Sequence, residues 1–290
     1  MTPSPPPDPQ SSPLPSLSAV IRRHGLRARR ALGQNFLTDA NIARRIAHAA
    51  GPLKDAVVYE VGPGAGALTR AVLAEAPSRL VAVEKDARFL PALEELGGHY
   101  PGCLHVVASD ALDTDEVALF GAHAAVRVIA NLPYNIASPL LAKWLHTEPW
   151  PPWYGSLTLM FQREVATRIE AAPGGRDYGR LSVLAQWRTH ARRLFDVAPT
   201  AFVPRPKVTS SIIQLVPRKS SQPVTPAALS AVLAAAFGQR RKMLRSSLKG
   251  LGVDTTALLA RASIDATKRA EVLSVDDFCR LAMVFSELKQ

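Results

Sequence analysis

The feature that most constrains this chain is a rhythm of short apolar runs. They fall at Ala56–Val61, Leu80–Val83, Leu104–Ala108, Val126–Ala130 and Leu157–Phe161, separated by stretches of helical spacing. Runs this short, without polar alternation, read as strands buried on both faces. Their alternation with helices implies a mostly parallel sheet covered on both sides. Helices are expected over Asn41–Ala50 with Asp39 as cap, Ala67–Ala76, Ala87–Leu96, Ser138–His146 with Pro139 confining its start, and Arg163–Ala171. After Leu181 the texture changes. Leu181–Trp187, Arg192–Val197 and Ser210–Val216 read as strands without helices between them, an antiparallel finish to the sheet. A Ser/Pro-rich linker, Lys219–Pro226, then leads to helices expected over Ala227–Phe237, Gln239–Leu248, Thr255–Arg261 and Asp276–Leu288. The expectation is an α/β Rossmann-like domain over 21–218 and a small all-helical domain over 219–290. A Pro/Ser-rich extension over 1–20, unable to bury a core, precedes them.

Charge narrows the partner. Lys and Arg total 35 against 24 Asp and Glu, a net +11, so a polyanion is expected and nucleic acid comes first. A generally basic enzyme is the alternative, but the charge is clustered. Arg22–Arg30 holds five arginines and no acid, and Gly238–Lys249 holds Arg240, Arg241, Lys242, Arg245 and Lys249, also with no acid. Cys103 and Cys279 are the only cysteines, which excludes a disulfide framework and a zinc site and suits a reducing compartment. The histidines are scattered, so no metal is expected. No run approaches the ~18 apolar residues of a membrane span, and with no apolar stretch after a positive start the Pro/Ser-rich segment is not expected to act as a secretory signal. The extension has some transit-peptide composition, but its Pro5–Pro7 triplet argues against the amphipathic helix such peptides need. A cytoplasmic monomer without membrane contact is expected.

Four motifs carry chemistry. Glu60-Val61-Gly62-Pro63-Gly64-Ala65-Gly66 lies between a buried strand and a helix, where glycines allow a tight turn and close approach of a ligand. A purely structural turn is one alternative and a nicotinamide enzyme another. The dinucleotide fingerprint wants Gly-x-Gly-x-x-Gly, whereas Gly-x-Gly-x-Gly with an acid two residues ahead is the pattern of S-adenosylmethionine-binding folds. Glu84, closing the second strand, can accept both ribose hydroxyls, a feature shared with nicotinamide enzymes. Asp110, past the third strand, can accept the cofactor's adenine amine, or simply cap a turn.

The fourth is Asn131-Leu132-Pro133-Tyr134, just past the fourth strand. It fits the Asn/Asp-Pro-Pro-aromatic class of enzymes that methylate ring-conjugated amines. Adenine's exocyclic nitrogen is a poor nucleophile because its lone pair is delocalised into the ring. The Asn131 side-chain oxygen and a backbone carbonyl near Leu132 can accept its two hydrogens and aim the lone pair at a methyl sulfonium. Pro133 stiffens the loop, and Tyr134 offers a face for an extruded base. In the C-terminal region, Arg241, Arg245 and Lys249 would share one helical face at i, i+4, i+8. Phosphate binding is the preferred reading of that stripe and a solvated surface its alternative.

Together these residues resemble one family, the bacterial 16S ribosomal RNA adenine dimethyltransferases, also called kasugamycin-resistance dimethyltransferases. The resemblance runs from about Arg30 to the C-terminus. It includes Leu32-Gly33-Gln34-Asn35-Phe36-Leu37, Phe161-Gln162-Arg163-Glu164-Val165-Ala166, Tyr178-Gly179-Arg180-Leu181-Ser182, Pro204-Arg205-Pro206-Lys207-Val208 and Phe237-Gly238-Gln239-Arg240-Arg241-Lys242. It implies dimethylation of two adjacent adenosines near the 3′ end of small-subunit ribosomal RNA, within an assembling subunit. It also implies that Asn35 and Leu37 cover the cofactor. Gly62, Gly64, Glu84, Asp110 and Asn131 complete that site, and Phe202 holds the target base opposite Tyr134. Thr209 stands where the resemblance implies an acidic residue, a departure that bears on a local contact and not on the reaction. The close alternative is the sister family acting on large-subunit ribosomal RNA. A non-catalytic nucleic-acid-binding protein of this fold is another, against which the intact motifs argue.

Overall fold

The computed structural model describes residues 14–29, 33–121, 125–219 and 223–289. Residues 1–13 of the expected extension, Arg30 and part of the expected linker lie outside them. In chain order the elements are α1 (Leu17–Arg23), β1 (Phe36–Leu37), α2 (Ala40–Ala49), β2 (Val57–Val61), α3 (Ala67–Leu73), β3 (Arg79–Glu84) and α4 (Leu90–Gly98). They continue as β4 (Leu104–Ala108), α5 (Glu116–Phe120), β5 (Val126–Ala130), α6 (Tyr134–Leu145), β6 (Tyr154–Gln162), α7 (Arg163–Glu170), α8 (Arg180–Arg188) and β7 (Thr189–Val197). β8 (Phe202–Val203), β9 (Ser210–Pro217), α9 (Pro226–Gly238), α10 (Leu244–Ser247), α11 (Thr255–Arg261) and α12 (Val275–Lys289) complete the order.

The apolar runs do become the sheet. Its seven strands lie in the order β4-β3-β2-β5-β6-β9-β7, parallel from β4 through β6 and antiparallel at the β9–β7 end. The two-residue strands β1 and β8 pair separately and antiparallel. Asp39 caps α2 as expected, its carboxylate accepting from the Asn41 and Ile42 amides.

The chain divides into two compact units. One comprises the chain up to Leu140 with Trp153–Arg163 and Leu194–Gln214; the other comprises Leu141–Pro152, Glu164–Arg193 and Leu215 onward. The second therefore takes in mid-chain segments as well as the tail, unlike a simple cut at 218/219. In the first unit, one cluster joins α2 and α3 to the sheet through Ile46, Ala47, Val58, Val72 and Ile212. A second places Val20 and Leu26 against Phe89, Ala92, Leu93 and Ala65. The second unit packs Leu229, Val232, Leu244, Leu258, Phe278 and Leu281 into its own core. Tyr178 Oη donates to the Leu273 carbonyl there at 2.9 Å.

Several expectations are corrected. Leu181–Trp187 lies within the helix α8, not a strand. Its odd positions are apolar, which mimics period two, yet Ser182 and Arg188 are buried as well as Val183, Ala185 and Trp187, so the segment is enclosed on more than one side. Local polar bonds decide the matter: the Gly179 amide donates to Ser182 Oγ, and Gln186 Nε2 donates to the Ile169 and Ala171 carbonyls at the end of α7. The expected helix Gln239–Leu248 is not continuous either. Residues 239–242 form a turn and bend, Met243 is extended, and α10 spans only Leu244–Ser247. The Leu244 amide donates to the Lys268 carbonyl at 2.8 Å and the Arg245 amide to the Ala266 carbonyl at 3.1 Å. These tertiary bonds take the amides a continuing helix would use. α6 starts at Tyr134, and Pro139 falls inside it, at the cost of one backbone bond rather than the helix. Finally, Leu17–Arg23 is helical, capped by Ser16, so the expected extension ends before residue 20.

Candidate active site

Strand register assembles the site. Val61 pairs with both Val83 and Ala130, and Glu84 pairs with Ala108. The carboxyl ends of β2, β3, β4 and β5 therefore share one edge. The chain leaves that edge through Gly62, Lys85, Ser109 and Asn131. Between β2 and β5 the strand order reverses, the place where open α/β sheets bind ligands.

The glycine turn needs glycine for conformation and for space. Gly62, Gly64 and Gly66 have φ of +67°, +55° and +84°, where side chains are strained. A Cβ on Gly64 would meet nothing within 4 Å, and one on Gly62 only Pro133 Cδ at 4.0 Å. The turn thus borders open space that side chains would fill.

Glu84, 7% exposed, spans that turn. Its Oε2 accepts the Gly64 amide at 3.0 Å and its Oε1 the Asp86 amide at 2.8 Å. Burial pushes its pKa up, opposed by these amides. Each oxygen keeps acceptor capacity for a vicinal diol. Of the two readings the sequence left open for Asp110, the turn role is seen directly. Its Oδ1 accepts the Leu112 amide at 2.9 Å as a turn residue, while Oδ2 pairs with Lys85 Nζ at 2.6 Å.

Two adjoining hollows share Gln34, Gly62, Glu84 and Pro133. The larger, about 400 Å³, is bordered by Glu84, Lys85, Asp110 and Asn135; it falls within the roughly 300–1,000 Å³ of small-molecule sites. The narrower, about 90 Å³, is bordered by Asn35, Leu37, Asn131, Leu132, Tyr134 and Phe202. Tyr134 Oη and Ser210 Oγ are 2.7 Å apart, which fixes the ring's tilt. Leu37 and Phe202 are brought together as register partners of β1 and β8. Asn35 Nδ2 donates to the Gly33 carbonyl at 3.2 Å.

The structure thus gathers Asn35, Leu37, Gly62, Gly64, Glu84, Asp110, Asn131 to Tyr134 and Phe202 around adjoining space. Sequence reading missed Lys85 and Ser210, which carry no motif. It also gave no role to Glu60. That carboxyl is buried, lines the narrower hollow, and has an Oε2 with no hydrogen-bond partner. Desolvation raises its pKa to about 8. An acid immediately before the glycine turn was the available signal.

The C-terminal cations sort differently. Arg241, Lys242, Arg245 and Lys249 are exposed. Arg240 is committed, donating to Glu271 Oε2 at 3.0 Å and to the Arg176 carbonyl at 2.7 Å. Among the described residues no group of His, Cys, Asp or Glu is placed to hold a metal. No helix among them is long and apolar enough to cross a membrane.

The Gly-x-Gly-x-Gly turn is one residue tighter than the dinucleotide fingerprint, and the Asn-Leu-Pro-Tyr loop shares its rim. Fold and rim together define an S-adenosylmethionine-dependent methyltransferase. The family model described as ribosomal RNA adenine dimethylase matches residues 25–287, and the chain belongs to that family. Over 276 residues it is 61% identical to ribosomal RNA small subunit methyltransferase A of Xanthobacter autotrophicus, covering 95% of this chain and 96% of the relative. It is 57% identical to the protein of that name from Rhodopseudomonas palustris, with the same coverage. A dimethyladenosine transferase from Plasmodium falciparum superposes with TM-score 0.74 at 25% identity, over 88% of this chain and 98% of that one. The 23S rRNA methyltransferase ErmE gives TM-score 0.61 at 25% identity, over 88% and 100%. The chain is an enzyme that methylates adenine in ribosomal RNA with S-adenosylmethionine as donor.

Proposed function

We propose that the chain dimethylates the N6 amines of two adjacent adenosines near the 3′ end of 16S ribosomal RNA, acting as a cytoplasmic monomer on the assembling small subunit. The observation that carries this reading is the adjacency of two hollows. One is edged by Lys85 and Asp110 and the other by Asn131, Tyr134 and Phe202, with Gly62, Glu84 and Pro133 common to both. The identity to relatives named for the small subunit favours 16S over the 23S target for which ErmE is named.

The residues present fit the methyl donor. Open space over Gly62 and Gly64 admits it, Glu84 offers two fixed oxygens to its ribose, and Asp110 offers an acceptor to its adenine amine. Glu60 adds a buried carboxyl beside a hollow that must receive a cationic ligand. When bound, S-adenosylmethionine supplies an electrophilic methyl group on sulfonium sulfur. Tyr134 and Phe202 flank the target base, Tyr134 held by Ser210. The Asn131 side-chain oxygen and the Leu132 carbonyl accept the two amine hydrogens, so the nitrogen becomes pyramidal and presents its lone pair. The aminium product is acidic enough to lose its proton to water, so no strong base is required. Asn35 and Leu37 cover the cofactor, and Arg241, Lys242, Arg245 and Lys249 bind phosphates, with Arg240 their anchor.

The test is to incubate unmethylated small subunits with labelled S-adenosylmethionine and map the label to nucleotides. Label on two adjacent adenosines near the 16S 3′ end is expected. Label confined to large-subunit RNA would overturn the assignment.

A further inference from the structure

Beside the ribose-facing end of β3 lies a polar cluster that the reaction does not use. Asp86, its side chain 12% exposed, follows Glu84 by two residues. Its carboxylate accepts Arg88 Nε at 2.9 Å and a second guanidinium nitrogen at 2.5 Å, and Gln34 Nε2 at 3.0 Å. Arg88 also donates to the Arg27 carbonyl at 3.1 Å and to Gln34 Oε1 at 3.4 Å. Gln34 Oε1 in turn accepts the Arg29 amide at 2.9 Å. These bonds tie Arg27, Arg29 and Gln34, at sequence distances of 52 to 61 residues, to the turn that carries Glu84. Arg88 holds the Asp86 pKa down to about 2, with Gln34 adding to the effect, so the carboxylate stays charged at any working pH.

We propose that Asp86 and Arg88 are positioning residues, a clasp that holds Gln34, and through it Arg29, at the rim of the cofactor hollow and thereby sets affinity for the donor. The proposal rests on the cofactor reading above. Gln34 borders both hollows, and Asn35 and Leu37, one and three residues on, border the narrower one. An isolated surface pair would stabilise little, but here one carboxylate takes charge-assisted bonds from two partners, and the guanidinium reaches two further acceptors. Both groups bond through side chains, whereas Glu84 is held by the backbone amides of Gly64 and Asp86. Removing the Asp86 charge therefore leaves the ribose carboxylate in place. The expected signature is weakened capture of the donor with unchanged chemistry once it is bound.

The experiment uses the full chain with Asp86→Asn, Arg88→Met and the double variant, titrated calorimetrically with S-adenosylhomocysteine and assayed with small subunits. Each single variant is expected to raise the dissociation constant and the KM for S-adenosylmethionine about 10-fold, the scale of one charge-assisted bond. kcat at saturating donor should move less than about twofold. The double variant should be no weaker than the worse single, because the two act as one unit. Tryptic cleavage after Arg27 and Arg29 should speed up in each variant, and S-adenosylhomocysteine should slow it in the wild type. A stability defect alone would lower Tm without splitting KM from kcat or localising the cleavage. Unchanged affinity and cleavage in variants, beside a wild type that binds, would overturn the clasp alone. A wild type that fails to bind S-adenosylhomocysteine would overturn the cofactor reading and the clasp with it.

Discussion

The edge of the sheet and the basic segment 239–249 were both read from spacing, and only the edge kept its spacing in three dimensions. At the edge, parallel register aligns the ends of β2, β3, β4 and β5, so a residue one step past each strand reaches the same place. In the basic segment, spacing has meaning only if the helix is unbroken. The bonds from Leu244 to Lys268 and from Arg245 to Ala266 break it. A site positioned by strand ends thus survives errors of a residue or two at element boundaries. A stripe does not.

The largest effect that bears on this contrast is expected at the edge. Asn131→Ala should cut turnover by at least ~10²-fold with donor affinity largely kept, the usual scale for losing a transition-state hydrogen bond. Full activity would mean that strand-end placement does not confer the chemistry. Glu84→Ala should weaken S-adenosylhomocysteine binding by about 10–100-fold, since it removes hydrogen bonds to a charged acceptor. An unchanged calorimetric titration would move the ribose elsewhere.

Glu60 offers a smaller effect on stability. Its folded pKa of about 8 exceeds the 4.5 of the free group, so the folded state holds an extra proton between those values. Stability of the donor-free protein from this group is therefore greatest below pH 4.5 and declines as pH rises towards 8. Glu60→Gln should remove that decline and gain on the wild type, on the order of 1–3 kcal/mol by about pH 8, read from denaturant unfolding across pH. Parallel curves for the two proteins would show that the buried carboxyl is compensated.

The basic segment should respond more weakly and in a graded way. Arg241→Ala with Arg245→Ala should reduce the slope of log affinity against log salt by about 2, one per phosphate contact. Arg240→Ala should leave the slope alone and cost roughly 1 kcal/mol or less of stability, because its bonds go to Glu271 and Arg176. Equal slope changes for all three arginines would restore a uniform phosphate-binding face and erase the contrast.

Much of the edge was legible in advance because each motif sits where a strand gives way to a turn. Gly62, Glu84, Asp110 and Asn131 announce themselves by residue type and by the apolar run before them. What the sequence hid depends on partners far away in the chain. Ser210 matters only because it meets Tyr134, and Lys85 only because it meets Asp110. β1 and β8, two residues each, are too short to show any period, yet their pairing sets Leu37 beside Phe202. α8 was misread because alternating Leu181, Val183, Ala185 and Trp187 imitate a strand, while the bonds of Ser182 and Gln186 that make it a helix are invisible in a linear pattern. Within the second unit, burial on several sides of α8 erases the amphipathic stripe that would have betrayed it.

The most direct measurement is a crystal structure of the chain with S-adenosylhomocysteine bound. The ribose hydroxyls should rest on Glu84, with the sulfur turned towards Asn131 and Tyr134 so that a base between Tyr134 and Phe202 would meet a methyl group there. A sulfur facing away from that loop, or a ligand seated in some other cavity, would contradict the account.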